Sequence, residues 1–263
     1  MLLTEIDSAS LTVDLSTHSK WIPIQETRLL ILVGVTGVGK STTVNALVEG
    51  GLSAELLPNR RDLTDQFIIG YLQRQAGRPV TQVTDRADRF DYTKQYRKQF
   101  PGGMAHALAN LAINPQSLTG DWLIFDGLRG ANEVTYASQM LPNARFLMLD
   151  APDFIRVQRL MKRHDAFDQI QGQSQANVDF SAYSNLLSSA EISELEMMVE
   201  DKTVTLNEVQ SKLAIVQKER QNYDPNSTKD ALFTHAPDQT IYIDTAQKSV
   251  AEAAAIALAR LKI

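Results

Sequence analysis

A glycine-rich segment, GVTGVGKST at residues 34–42, limits what this chain can fold into more than any other feature. It follows the apolar run RLLILV and precedes KSTTVNALVEGG, which has helix-forming residues and ends in two glycines. The order strand, glycine loop and helix opens an α/β unit. Apolar runs at 122–127, 145–151 and 240–244 are each followed by a helical pattern. This alternation predicts an α/β fold with a doubly wound, mostly parallel sheet of about five strands.

The glycine loop matches the Walker A pattern Gly-x-x-x-x-Gly-Lys-Ser. Its glycines let the backbone bend so that successive amides converge on phosphate oxygens, and the helix behind it adds its positive N-terminal end. Lys40 is expected to reach the β and γ phosphates, the Ser41 hydroxyl to bind Mg²⁺, and Thr42 to contact the α phosphate. The sequence therefore predicts a P-loop NTPase that binds ATP, or another NTP, with Mg²⁺. The predicted phosphate cradle comprises Gly34, Val35, Thr36, Gly37, Val38, Gly39, Lys40, Ser41 and Thr42.

Charged residues elsewhere complete a candidate catalytic set. Asp126 follows the apolar run WLIF, the position from which a carboxylate binds Mg²⁺ beside a P-loop. Arg156, Arg159 and Arg163 are spaced i, i+3 and i+7, so they share one face of a predicted helix. A guanidinium near the phosphates stabilises charge in the transition state of phosphoryl transfer. The predicted catalytic residues are Lys40, Asp126, Arg159 and Arg163.

Three further segments, FDGLRGANEV, RLMKRHDAFD and IYIDTAQKSVAEA, combine with the P-loop into a family resemblance. The chain resembles the nucleoside monophosphate kinase group, which includes adenylate, thymidylate and dephospho-CoA kinases. Its Asp-Gly-x-Arg motif is similar to that of archaeal dephospho-CoA-kinase-like proteins. The resemblance implies a P-loop kinase in which Asp126 assists Mg²⁺, Arg129 reaches substrate phosphate, and Arg159 with Arg163 leads into a mobile lid. DRADRF resembles the Asp-Arg-aromatic motif of thymidylate kinases, which implies that Arg86 or Arg89 binds acceptor phosphate.

The acceptor of the phosphoryl group stays open at this level. A phosphate acceptor is already ionised and needs arginines, for which Arg60, Arg61, Arg86 and Arg89 are the candidates. A hydroxyl acceptor needs a carboxylate, for which Asp62 or Asp85 is available. The expected partner is a small phosphate acceptor, with a nucleotide as the first choice.

Two other functions compete with a small-molecule kinase. One is a switch or regulator that hydrolyses the nucleotide and signals to a partner protein, although no Asn-Lys-x-Asp guanine-reading motif occurs. The other is a kinase of polynucleotide 5′-hydroxyl ends. The formal net charge of −5 counts against nucleic acid, because such binding depends on neutralising many phosphates.

The chain divides into a predicted core and an insertion. Residues 1–21 form a peripheral segment with an alternating stretch, LTVDL, that suits an edge strand; 22–163 with 238–263 form the kinase-like core; 164–237 form a helical insertion or lid. Ser188 with Glu191 and Thr205 with Glu208 match the capping box of a helix start. Val209, Leu213 and Val216 then form an apolar stripe. This stripe packs within the chain, contacts a second copy in a homodimer, or closes over substrate.

Composition narrows the remaining classes. The absence of cysteine excludes disulfides, thiolate metal sites and cysteine nucleophiles, and the four histidines lack zinc-ligand spacing. No apolar run approaches the roughly 18 residues of a membrane span, and the first residues lack the basic start of a signal peptide. The expectation is a cytoplasmic protein without a membrane partner.

Overall fold

The computed structural model describes residues 4–14, 16–162 and 180–261. Arg163, and the predicted insertion as far as residue 179, lie outside the described residues. The strands are β1 (Thr4–Glu5), β2 (Leu11–Thr12), β3 (Ile22–Pro23), β4 (Leu29–Val33), β5 (Ala54–Leu56), β6 (Ala112–Ile113), β7 (Trp122–Leu128), β8 (Ala144–Asp150) and β9 (Thr240–Asp244).

The α-helices follow the strands singly or in runs of several helices. They are α1 (Lys40–Glu49), α2 (Arg60–Leu63), α3 (Gly70–Gln75), α4 (Arg86–Gln99), α5 (Gly103–Ala109), α6 (Ala131–Met140), α7 (Asp153–Met161), α8 (Ser189–Glu200), α9 (Leu206–Asn222), α10 (Pro225–His235) and α11 (Val250–Leu261). A π-helical turn, Thr64–Ile69, joins α2 to α3. Within the described ranges no helix combines the length and the apolar character needed to span a bilayer.

Six strands form the main sheet in the order β1-β5-β7-β4-β8-β9, and every neighbouring pair is parallel. The predicted parallel α/β sheet is therefore confirmed. It has one strand more than expected, since Thr4–Glu5 adds β1 beside β5. A smaller antiparallel sheet has the order β2-β6-β3, with Leu11–Thr12 of the alternating LTVDL stretch at one edge.

Strand β4 shows why the sheet is covered on both faces. All five of its residues are buried. Because successive side chains of a strand point to opposite faces, Leu29, Ile31 and Val33 enter one apolar core and Leu30 and Leu32 enter another. The strand lies between β7 and β8, so the strand order reverses at its carboxyl end. Ligands of open α/β sheets bind in the crevice at this switch point.

Helix α9, which lies in the predicted insertion, packs against α7. Val209, Leu213 and Val216 are fully buried, and they form a third apolar core with Phe154, Val157 and Leu160 of α7. The apolar stripe of α9 is thus satisfied within the chain. Both predicted capping boxes are present, with Ser188 at the start of α8 and Thr205 at the start of α9.

Candidate active site

The glycine loop follows β4 and ends at the first residue of α1. Gly34, Gly37 and Gly39 have φ angles of 145°, 88° and 93°, which favour glycine. At Gly34 an added Cβ would lie 2.5 Å from the carbonyl oxygen of Leu149 in β8. The loop therefore needs glycine at this position for space as well as for its backbone angle. Gly39 is the N-cap of α1, so the free amides of that helix face the loop.

Lys40 lies inside the curve of this loop. Its Nζ donates hydrogen bonds to the carbonyl oxygens of Gly34 at 2.9 Å and Val35 at 3.1 Å, and it lies 3.6 Å from Asp126 Oδ1. Burial lowers the pKa of Lys40, and Asp126 acts in the opposite direction. The ammonium group is thus held at the mouth of the loop, beside a carboxylate that projects from β7.

Ser41 and Asp126 supply oxygen ligands suited to a hard cation. Both line one cavity with Lys40, and the Asp126 side chain is 27% exposed. Among the residues that the structure describes, no group of three or more His, Asp or Glu side chains has the arrangement of a metal site. Two protein oxygens fit Mg²⁺, which is usually bound through one or two protein ligands together with substrate phosphates and water.

This cavity, the P-loop cavity, has a volume of about 1010 Å³. It extends from the glycine loop to the turn between β9 and α11, where Thr245 and Lys248 line it. Arg159 forms its wall and donates to the carbonyl oxygens of Gly37 at 3.2 Å and Thr245 at 2.7 Å. Burial lowers the pKa of Arg159, with Asp244 opposing it. Arg159 thereby ties α7 to both sides of the cavity.

Arg156 is buried, although the helical spacing predicts that it shares one face of the helix with Arg159 and Arg163. Its side chain is 1% exposed, and its Nε donates to the carbonyl oxygen of Thr36 at 2.8 Å. Its guanidinium pairs with Asp153 at 2.6 Å and with Glu219 of α9. Helical spacing alone does not reveal this burial, because the glycine loop and α9 cover that face of α7 from two sides.

A second cavity of about 920 Å³ adjoins the first and lies between α4 and α9. The α4 side supplies Arg89, Phe90, Thr93, Tyr96 and Arg97, and the α9 side supplies Ile215, Lys218, Glu219, Asn222 and, just after the helix, Tyr223. Both cavities are lined by Thr36, Arg60, Arg61 and Arg129. These four residues lie at the junction of the two cavities.

Three of the six residues predicted to bind the phosphate acceptor, Arg60, Arg89 and Arg129, form ion pairs. Arg60 binds Glu133 through two hydrogen bonds of 2.9 and 2.6 Å. Burial disfavours the charged form of Glu133, but Arg60 and Arg129 together outweigh that effect and the pKa of Glu133 is lowered. Arg89 pairs with Asp65, and Arg129 lies 2.9 Å from Glu219.

Three other predicted residues have different positions. Arg61 is exposed and lines both cavities. Asp85 lines the second cavity and accepts a hydrogen bond from the amide of Asp88 in the first turn of α4. Arg86 begins α4, but its side chain is not among the described ones.

Sequence reasoning missed Glu133, Glu219, Arg97, Lys218 and Thr245. Glu219 follows the buried stripe of α9 by three residues from Val216, so helical spacing places it near the buried face. That spacing does not say which element α9 faces. Glu133 and Thr245 likewise have partners distant in the chain, Arg60 and Arg159.

His106 of α5 supports the wall of the second cavity and predicts a pH effect. Its ring stacks on Phe100 with centroids 4.1 Å apart, and its Nδ1 lies 2.8 Å from the hydroxyl of Tyr96. Burial lowers the pKa of His106 below its ordinary value of 6.5. The imidazole of His106 therefore binds a proton more readily in the unfolded chain than in the folded protein. As the pH falls through the pKa of the unfolded state, the free energy of unfolding decreases.

We expect the melting temperature of the wild type to decrease as the pH is lowered from about 7 to about 5. The His106→Phe substitution should make this decrease smaller. Thermal melts of both proteins across this range measure the difference. An equal pH slope in the two proteins would contradict the assignment to His106.

Comparisons with known proteins give only distant similarities. No protein-family model matches the chain, and no curated protein matches it. It is similar to a sugar kinase from Janibacter sp. HTCC2649, with 17% identity, a TM-score of 0.36, and coverage of 90% of this chain and 95% of that one. Shikimate kinase from Acinetobacter baumannii has 13% identity, a TM-score of 0.37 and coverage of 91% and 96%. A sulfotransferase from Alicyclobacillus acidocaldarius has 14% identity, a TM-score of 0.37 and coverage of 90% and 81%. Similarity at this level defines neither a family nor an activity.

Proposed function

We propose that this protein is a P-loop kinase that transfers a phosphoryl group from ATP, or another NTP, with Mg²⁺ to a phosphorylated small molecule. The observation that carries the proposal is the junction of two cavities at the glycine loop. One contains the loop with Lys40, Ser41 and Asp126; the other is lined by arginines. A hydrolase needs room for water at its terminal phosphate, whereas a kinase needs a second cavity that brings an acceptor within reach.

The second cavity suits an acceptor that already carries phosphate. Its carboxylates are Asp85, Glu133 and Glu219, and each accepts hydrogen bonds within the protein. A hydroxyl acceptor requires a carboxylate that is available to orient its proton. The cavity is also lined by the cationic groups of Arg61, Arg89, Arg97 and Lys218, of which Arg89 is paired with Asp65, and by the aromatic rings of Phe90, Tyr96 and Tyr223. This combination supports a nucleotide or a similar anion with a planar body.

Each residue has a separate role in phosphoryl transfer. The loop amides and Lys40 hold the phosphates of the donor, and Arg129 at the junction neutralises charge between donor and acceptor. Arg159 fixes the wall of the P-loop cavity through Gly37 and Thr245. Ser41 and Asp126 would hold Mg²⁺, which would supply charge neutralisation at the phosphates.

The test is an acceptor screen with radiolabelled nucleotide. It compares nucleoside monophosphates and dephospho-CoA, which carry phosphate, with nucleosides, shikimate, gluconate and 5′-hydroxyl oligonucleotides. Transfer confined to phosphorylated small molecules is expected. Transfer only to hydroxyl acceptors without phosphate would contradict the acceptor class. Hydrolysis without any transfer, stimulated by a partner protein, would favour the switch, for which the contact between α9 and the glycine loop is the supporting observation.

Arg89 provides a direct test of the second cavity. Arg89→Ala is expected to raise the KM for the acceptor by about tenfold to a hundredfold, because one hydrogen-bonded charge contact is worth roughly 1.5–3 kcal/mol. The KM for the nucleotide should stay unchanged, since Arg89 lines only the second cavity of the two. Lys94→Ala is the matched control, because Lys94 is an exposed cation of the same helix that does not line the cavity. Equal effects of the two substitutions would remove Arg89 from the acceptor site.

A further inference from the structure

Glu219 of α9 connects the helical insertion to the glycine loop. Its carboxylate accepts hydrogen bonds from the Thr36 amide at 3.0 Å and from the Thr36 hydroxyl at 2.6 Å. It also pairs with Arg129 at 2.9 Å and with Arg156. Because Arg156 Nε donates to the Thr36 carbonyl, two side chains together bind all three polar groups of Thr36.

The position of Thr36 makes these bonds important. It lies between Gly34 and Gly37, and both glycines have positive φ angles. Glycine-rich segments lose more conformational freedom on ordering than others do. A loop that is already fixed in its binding conformation avoids that cost when a ligand arrives. The hydrogen bonds of Thr36 thus restrict the backbone of a segment whose glycines allow many conformations.

We propose that Glu219 is a positioning residue for phosphate binding, through which the helical insertion holds the glycine loop in its binding conformation and orients Arg129. This inference rests on the proposed function, since it assumes that the loop binds nucleotide. In this inference the predicted insertion contributes directly to the binding site.

Charge repulsion between Glu219 and an incoming phosphate is the main objection. The connected cluster answers it, because Arg129, Arg156 and Arg220 carry three positive charges against the two carboxylates of Glu219 and Asp153. The cluster is net positive, so an anion nearby meets no excess of negative charge. We therefore expect Glu219 to strengthen nucleotide binding, because it orders the loop.

The experiment measures binding of an Mg²⁺-bound non-hydrolysable ATP analogue by calorimetry. Glu219→Gln removes the charge at nearly constant volume and is expected to weaken binding by about tenfold or more. Glu208→Gln is the matched control, because Glu208 lies on the same helix at its N-terminal capping box. It should change binding by less than about twofold, since a glutamine also serves in a capping box.

A double-mutant cycle with Thr36→Val tests the route. Valine removes the Thr36 hydroxyl but keeps its amide, so if Glu219 acts in part through that hydroxyl, the joint effect of the two substitutions is smaller than the sum of their single effects. Additive effects would overturn the route through the Thr36 hydroxyl. Unchanged or tighter binding by Glu219→Gln would overturn the inference. Absence of binding by the wild type would instead refute the proposed function and this inference with it, so the two failures are distinguishable.

A measurement on the wild type covers the case in which Glu219→Gln does not fold. Hydrogen exchange is followed with and without the analogue, and the peptide that contains residues 213–222 should become more protected when nucleotide binds. Protection confined to the glycine loop and α1 would show that α9 is not coupled to the site.

Discussion

Lys40→Ala is expected to lower the rate of phosphoryl transfer about 10²–10³-fold, the loss found when one preorganised donor to developing charge is removed. The structure holds the Lys40 ammonium inside the glycine loop, 3.6 Å from Asp126. The methyl group of alanine leaves the terminal phosphates without that charge. Steady-state kinetics with the acceptor identified by the screen measure the effect.

Lys98→Ala serves as the control for Lys40→Ala, because Lys98 is an exposed lysine of α4. Thermal melting of both variants separates loss of chemistry from loss of structure. The expected pattern is a folded Lys40→Ala protein with nearly abolished transfer and a Lys98→Ala protein like the wild type. Full transfer by Lys40→Ala would remove the glycine loop from the reaction.

The parts of the site that a local pattern encodes were predictable from sequence. The glycine loop is defined by residues next to one another in the chain, and the positive φ angles of Gly34, Gly37 and Gly39 explain why those positions are glycine. The parallel sheet followed from alternating apolar runs. The sequence places Asp126 at the end of a strand that neighbours β4, and because the carboxyl ends of parallel strands meet at one edge, Asp126 lies beside Lys40 in the structure.

The contacts between distant segments were not predictable in the same way. Glu133 and Glu219 each bind an arginine that sequence reasoning assigned to phosphate, namely Arg60 and Arg129. The pairs are 73 and 90 residues apart in the chain, so no local spacing reveals them. Arg156 and Arg159 differ for the same reason, since one is buried by α9 and the other faces the P-loop cavity.

These ion pairs bear on how the site handles charge. The side chains of Arg60 and Arg129 are 24% and 30% exposed, and a hydrogen-bonded carboxylate partner fixes the orientation of each guanidinium. Arg60 and Arg129 are held by such partners at the junction of the two cavities. In the proposed kinase, phosphate oxygens would meet guanidinium groups that are already oriented, so those side chains would not have to become ordered when substrate binds.

Asp126→Asn is expected to raise the Mg²⁺ concentration needed for half-maximal transfer by about two orders of magnitude, a loss that even supporting partners of metal ligands can cause. Asparagine keeps the shape of the side chain but removes the negative charge that a hard cation prefers. The matched control is Asp121→Asn, because Asp121 is an exposed carboxylate that directly precedes the same strand, β7, at its opposite end. Magnesium titrations of transfer, together with calorimetry of nucleotide binding with and without Mg²⁺, measure the effect. If Asp126→Asn and Asp121→Asn have the same magnesium requirement as the wild type, then Asp126 does not bind the metal, and its place beside Lys40 serves only to hold the ammonium group in the loop.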